Sequence, residues 1–298
     1  MTTAYLRPVR EWYAGHAREL PWRAPSASPW SVLVSEIMLQ QTPVRRVLPA
    51  YAAWLERWPV PSALAAATPA DAVRQWDRLG YPRRAIRLHA STQLMVARHD
   101  GQVPDSIVDL RALPGVGSYT AAAVASFAFG QRHAVLDTNV RRVLARLVSG
   151  QGQPRAAQSA AELALAESLL PADGREAARW SVGVMELGAL VCTATKPDCG
   201  RCPLSGQCTW LRLGRPAPQP TRTAPAYAGS DRQCRGALLA RLRAARGPVP
   251  ASVLAGAWDD SGQRVRSLAA LIADGLVTRC ADGSLALPGD VPSKPDPS

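Results

Sequence analysis

Four cysteines fall within seventeen residues, spaced Cys192-x6-Cys199-x2-Cys202-x5-Cys208, while Cys234 and Cys280 lie far along the chain. Thiols so placed can hold zinc, pair as disulfides or ligate an iron–sulfur cluster. A zinc ribbon usually pairs two close CxxC units, and only Cys199 and Cys202 are that close. A cubane cluster takes one cysteine at each of four irons, so uneven gaps of six, two and five still serve it. Spacing alone favours iron–sulfur over zinc only modestly. The N-terminus, MTTAYLRPVREWYAGHAREL, is charged throughout and has no apolar core of a leader. No stretch reaches the ~18 consecutive apolar residues of a membrane span. A reducing cytosol is therefore expected, where clustered cysteines bind metal more often than they pair.

Two carboxylates and a glycine turn add to this. Leu113-Pro114-Gly115-Val116-Gly117-Ser118-Tyr119 joins one predicted helix (Ser106–Ala112) to another (Ser118–Phe129). Gly115 and Gly117 let the backbone approach a ligand closely and point amides outward at a helix N-terminus, which makes a phosphate site without side chains. An ordinary helix–helix turn with a capping glycine is the plainer reading. Twenty residues after Gly117 comes Val135-Leu136-Asp137-Thr138-Asn139-Val140, where Asp137 reads first as a helix N-cap. In Ser35-Glu36-Ile37-Met38-Leu39-Gln40-Gln41-Thr42, a helix gives Glu36 the neighbours Val32, Leu33, Leu39 and Gln40. A carboxyl among apolar side chains is expected to have a raised pKa, as a general acid near neutral pH requires. A surface helix glutamate is the alternative.

These groups need a scaffold, and the sequence offers helices. Apolar residues recur at i, i+3 and i+4 in Ser31–Gln41, Ala70–Arg78, Arg83–Arg98 and Ala156–Leu170, and nothing alternates for long with period two. An all-α fold follows for residues 1–210. Residues 211–229, rich in Pro, Ala and Arg, read as a linker. Three further helices (Asp231–Arg246, Ala251–Trp258, Ser261–Asp274) and a hairpin turning at Asp282-Gly283 have the order of a winged helix. Arg264 and Arg266 on its third helix are candidate phosphate contacts or a solvated basic face. The net charge of +12 and sequence pI of about 10.2 suggest a polyanionic partner, nucleic acid by default. Compositional drift weakens that inference, since only Lys196 and Lys294 among 35 basic residues are lysine.

Glycine hairpin, aspartate and four-cysteine loop together resemble the helix-hairpin-helix DNA glycosylases of the endonuclease III superfamily, over about residues 8–210. SEIMLQQT resembles the signature of the MutY-type adenine glycosylases. The resemblance implies a six-helix barrel domain over 23–133, and a helical domain over 1–22 and 134–210 in which Cys192, Cys199, Cys202 and Cys208 bind a [4Fe–4S] cluster. A linker (211–229) and a winged-helix-like α+β domain (230–290) follow. It implies adenine excision opposite 8-oxoguanine or guanine in double-stranded DNA. Glu36 would protonate adenine N7, and Asp137 would stabilise the cationic sugar through a covalent acetal, with Tyr119 and Asn139 ordering that aspartate. Arg18, Trp22 and Arg23 match adenine-pocket positions. Gln41, Thr42, Leu79 and Tyr81 match residues that probe the opposite strand, while the backbone at Gly115 and Gly117 meets phosphate. A flipped-out base is required, because neither carboxyl reaches into the stack.

Two departures stand out. Trp180-Ser181-Val182-Gly183-Val184 replaces a family Asn-Gln-Ala stretch, so Val182 cannot hydrogen-bond the base. The tail has no Nudix-like β pattern and carries the winged-helix-like segment instead, as in some actinobacterial relatives. An endonuclease III-like lyase would need a Schiff-base lysine where Tyr119 stands. A non-enzymatic iron–sulfur DNA reader would not need Glu36 and Asp137 together. A cytoplasmic, nucleoid-associated monomer with no membrane contact is expected.

Overall fold

The computed structural model describes residues 3–217 and 227–290. In chain order these form α1 (Thr3–His16), α2 (Pro29–Leu39), α3 (Val44–Arg57), α4 (Pro61–Ala65), α5 (Pro69–Trp76), α6 (Arg83–Arg98), α7 (Ile107–Ala112), α8 (Ser118–Phe129), α9 (Thr138–Leu147), α10 (Ala160–Ser168), α11 (Gly174–Leu190), α12 (Thr209–Arg212), α13 (Asp231–Ala244), α14 (Ala251–Ala255) and α15 (Ser261–Ala273), followed by the two-residue strands β1 (Thr278–Arg279) and β2 (Leu285–Ala286). No helix among the described residues is long and apolar enough to cross a membrane.

Local chemistry sets the helix ends. Thr68 and Asp71 cap each other's backbone at the start of α5, with Pro69 at its first turn, and Ser159 and Glu162 do the same for α10. The second box starts α10 at Ala160, four residues later than its apolar periodicity suggests. Positive-φ residues stop two other helices: Gln41 (φ 55) lies just beyond α2, and Asp77 (φ 40) ends α5.

The chain divides into two compact units. The first takes Met1–Leu33, Asp105–Ala112 and Val116–Arg222, and the second takes Val34–Pro104, Leu113–Gly115 and Thr223–Ser298. In the first, α1, α9 and α11 share one core. Val9 and Trp12 meet Val140, Val143, Leu144 and Leu147 of α9 and Trp180, Val184 and Leu187 of α11. Gly188 permits the closest approach, since a Cβ there would lie 2.7 Å from the Cβ of Asn139. Cys192, Cys202 and Cys208 pack against the same core.

In the second unit Trp54 makes edge contacts with Trp58 and Trp76, at centroid distances of 4.6 and 5.5 Å. The helix–helix–helix–hairpin order expected for residues 230–290 is present, and β1 pairs antiparallel with β2 in the register Thr278↔Ala286 and Arg279↔Leu285. A bridge from Val249 to Leu285 adds a third edge. The core of this segment is continuous with α5: Ala70 and Val73 lie among Cys234, Leu238, Leu239, Leu242, Leu254, Leu271 and Leu285. Each fully buried leucine contributes about 1.5–3 kcal/mol. Of the residues read as a linker, 211–212 belong to α12 and Arg215 still donates to Trp210 O at 2.9 Å; 218–226 lie outside the described residues. Arg264 donates to the Trp258 carbonyl, and the exposed Arg266 pairs with Asp231.

Candidate active site and cluster loop

Glu36 stands in the middle of α2, where every residue from Ser31 to Met38 is buried, and is itself 6 % exposed. The surface-glutamate alternative is thereby excluded. Just beyond α2, Gln41 is exposed and Thr42 is buried. Elsewhere in the same unit, Leu79 is buried, whereas Tyr81 is half exposed and has φ 48. Leu79 is thus a core residue in this structure, and Tyr81 is the aromatic left on the surface.

A buried arginine that sequence reasoning missed ties these two turns together. Arg84 donates through Nη1 to the carbonyls of Ile37, Met38 and Gln40 at 2.9, 2.9 and 2.6 Å. Through Nη2 it reaches Thr42 Oγ1 and the Gly80 carbonyl, both at 2.9 Å. Its guanidinium stacks over Trp76 and Tyr81. Burial pushes its pKa down to about 10, which still leaves it charged at neutral pH. The signal was faint: one of two adjacent arginines in Tyr81-Pro82-Arg83-Arg84, at the start of α6.

The glycine turn has the local form expected of it. Gly115 has φ 85, and a Cβ there would come within 2.9 Å of Arg87 Cβ, so both backbone shape and space call for glycine. Its neighbour Pro114 accepts a hydrogen bond from Ser91 Oγ at 2.7 Å. Gly117 is the N-cap of α8 and supplies no side-chain cap, while a Cβ there would meet nothing within 4 Å. The capping position of α8 thus has no side chain of its own. Tyr119 lies in the first turn of this helix, half-buried.

In the first unit Asp137 is indeed the N-cap of α9, accepting from Val140 N at 2.6 Å on Oδ1. Its second oxygen accepts from Asn139 Nδ2 at 2.8 Å. Asn139 Oδ1 in turn accepts from Arg142 Nη2 at 2.6 Å, and Arg142 Nε reaches the Cys192 carbonyl at 2.7 Å. Two residues, Asn139 and Arg142, thus link the aspartate to the first cysteine of the loop. Burial pushes the Asp137 carboxyl above the usual carboxylate range, although Val140, Asn139 and Arg142 pull the other way.

Arg18 and Arg23 converge on a second residue absent from the sequence reading, Glu186 of α11, which is fully buried. Arg18 Nε and Nη2 reach its two oxygens at 2.7 and 2.8 Å, and Arg23 Nη1 adds 2.9 Å. Burial alone would raise this carboxyl; hydrogen bonds and charge from both arginines outweigh it and hold it below the usual range. Trp22, between the two arginines in sequence, is buried. Val182 is half-buried one turn before Glu186 on α11. Glu36 and Asp137 fall in different units.

Comparison with known proteins places this arrangement. The chain is 53% identical over 282 residues to an adenine DNA glycosylase of Mycobacterium tuberculosis (strain CDC 1551 / Oshkosh), covering 94% of this chain and 92% of that one. The chain belongs to the adenine DNA glycosylase family. A second member, from Mycolicibacterium smegmatis, is 50% identical over 288 residues, covering 96% and 97% of the two chains. Residues 34–167 match the family model of the HhH-GPD superfamily base excision DNA repair proteins. Among solved structures, a thermostable thymine-DNA glycosylase aligns with TM-score 0.64 and 26% identity over 71% of this chain and 97% of its own.

Residues 192–208 match the iron–sulfur binding domain of endonuclease III, and the cysteine loop is this family member's iron–sulfur site. The local chemistry fits that group. All four cysteines are free and half-buried. Burial pushes the Cys202 thiol up to about 11, and Cys192, Cys208 and Cys199 add to the rise, so the four sulfurs lie within electrostatic reach of one another. Four cysteines in one loop can supply one thiolate to each iron of a cubane cluster. Arg146 closes the loop from one side. It donates to Cys192 Sγ at 3.4 Å and to the carbonyls of Thr193 and Ala194 at 2.7 and 3.0 Å, and it stacks over Trp210 at 4.7 Å.

Proposed function

We propose that this protein hydrolyses the bond between adenine and deoxyribose in double-stranded DNA where adenine faces 8-oxoguanine or guanine, and that it leaves an abasic site without cutting the strand. The carrying observation is Asp137. A helix cap needs one carboxylate oxygen, and a purely capping residue is commonly solvated; this one is half-buried, has its second oxygen fixed by Asn139, and is drawn above its ordinary pKa. Family membership and the buried Glu36 support the same reading.

In this reading Glu36 gives its proton to adenine N7 while the C1′–N9 bond breaks, and the bonding electrons leave with the base. Positive charge builds at C1′ and O4′, where the Asp137 carboxylate stabilises it and forms an acetal that water then resolves. Tyr119 and Asn139 order that carboxylate. Arg18 and Arg23, held by Glu186, and Trp22 line the flipped adenine's pocket. Gln41, Thr42 and Tyr81 meet the opposite strand, with Leu79 supporting Tyr81 from the core. The amides after Gly115 and Gly117 take a phosphate. The iron–sulfur cluster, of the four-iron type, orders the loop around Lys196, which is exposed and able to meet the DNA backbone. We also retain the division of labour between 1–22 with 134–210 around the cluster, 23–133 around the hairpin, and 230–290. The protein acts as a monomer on the chromosome in the cytoplasm.

An assay on duplexes with adenine opposite 8-oxoguanine, guanine or thymine tests this. Adenine release should be strong on the first two, and the strand should break only after alkali. Glu36→Gln should keep DNA binding and lose excision by ~10²–10⁴, the usual contribution of general acid catalysis. Borohydride trapping of a wild-type covalent adduct in good yield would instead indicate a lyase.

A further inference from the structure

The turn from Asp77 to Arg83 has unusual backbone geometry. Asp77 (φ 40), Gly80 (φ 91) and Tyr81 (φ 48) all lie in the left-handed region within five residues. Non-glycine residues persist there only when the surroundings hold them. From below, Trp76 Nε1 and Arg84 Nη2 both donate to the Gly80 carbonyl at 2.9 Å. Arg46 Nη2 adds a bond to the Arg78 carbonyl and Arg84 Nε one to the Tyr81 carbonyl at 3.4 Å, and residues 231–290 supply further ties on both flanks.

On the N-terminal flank, Arg243 of α13 donates to the Val73 carbonyl at 3.1 Å. Burial pushes its guanidinium down to about 10 against the opposing pull of the Asp77 carboxylate, so its charge lies beside the residue that opens the turn. Arg74 pairs with Asp290 at 2.9 Å and donates to the Ala245 carbonyl at 2.8 Å. On the C-terminal flank, Asp274, which closes α15, accepts from Arg83 at 3.0 Å through one oxygen and from Arg235 of α13 through the other. Arg83 directly follows Tyr81-Pro82. The Asp274 side chain is half-buried and Arg83 is exposed, so the tie to α13 through Arg235 is the better shielded of the two.

Part of the segment's positive charge is turned inward. Arg235, Arg243, Arg264 and Arg266 each bind a group within the protein. We infer that residues 231–290 brace the Asp77–Arg83 turn, that Asp274 is a positioning residue for Tyr81, and that the brace thereby sets how well the enzyme separates 8-oxoguanine from guanine opposite adenine. The selectivity half of this rests on the reading of Tyr81 given above.

The test uses the full chain with its cluster and the variants Asp274→Ala, Asp274→Glu and Tyr81→Ala. Two properties are read: amide hydrogen exchange over residues 77–84, and the ratio of affinities for a tetrahydrofuran abasic analogue opposite 8-oxoguanine and opposite guanine. Asp274→Ala should speed exchange in the turn about tenfold and lower the ratio about fivefold. Its iron content and its single-turnover excision opposite guanine at saturating protein should stay within about twofold of wild type. Asp274→Glu should restore both properties, and Tyr81→Ala should lower the ratio at least as far. Unchanged exchange in Asp274→Ala overturns the brace. Equal loss of affinity for both duplexes marks a general structural role and overturns the selectivity claim. Faster exchange in Asp274→Ala with an unmoved ratio in Tyr81→Ala leaves the brace standing and removes the reading of Tyr81, and the selectivity claim goes with it.

Discussion

In the proposed reaction Asp137 joins two demands that conflict, a charged group for chemistry and a half-buried place in the fold. Its pKa is raised in the folded protein, chiefly by burial. The sign for stability follows: the raised pKa opposes folding, fully so above the folded pKa, and the penalty disappears as pH falls below the unfolded value near ~3.9. Asp137→Asn should therefore raise the melting temperature at neutral pH, because an amide still caps α9 without a buried charge, while single-turnover excision falls at least ~100-fold. Catalysis needs the ionised form, so the acid limb of the pH–rate profile should lie above the ordinary aspartate range. Asn139→Ala removes a bond that favours the carboxylate and should move that limb to higher pH, which single-turnover rates from pH 4 to 8 will show. Glu36, Asp137 and the four cysteines were legible from the sequence because each stands in a contiguous motif. Glu186 and Arg84 were not, because each acts through partners far along the chain, at Arg18 and Arg23 for one and at Ile37 to Thr42 for the other.

Among the elements, the helices of the sequence reading are nearly all present, and their ends moved for identifiable reasons. Apolar periodicity continues past a helix end, whereas a capping box or a left-handed residue stops the backbone, as at Ser159 and Asp77. Arg84 bears on two such stops. Arg84→Met removes the donor for five carbonyls and a hydroxyl, and even one or two buried acceptors left unpaired cost about 1–3 kcal/mol each. A urea titration should show a loss of at least about 3 kcal/mol, and Arg84→Lys should recover only part of it, since an ammonium has three donors in a different geometry. The cysteine loop is the other element open to direct test. Cys202→Ala should bleach the absorbance near ~400 nm and abolish iron binding. Arg146→Met should keep the four thiols yet release iron faster to a chelator, having lost the bonds at Cys192, Thr193 and Ala194.

For the whole molecule, α5 serves two neighbours. Residues Ala70 and Val73 complete a core built mostly by 234–287, whereas Trp76 of the same helix packs on Trp54. Composition marked 211–229 as a boundary, but a helix of eight residues that is buried on more than one side gives no signal of which partner each side will meet. A chain ending at Arg215 should consequently melt several degrees lower and expose an apolar strip on α5; dye binding and calorimetry will measure both. The first unit has a different consequence. Val9 lies against Gly183, where a Cβ would come within 2.8 Å of it, yet 174 residues separate the two. A ribosome adding about 5–20 residues per second needs roughly 10–35 seconds to make that span. Throughout that interval the apolar stripe of α1 has been synthesised and its partner helix has not, so this core can close only once α11 and the cysteines that follow it emerge.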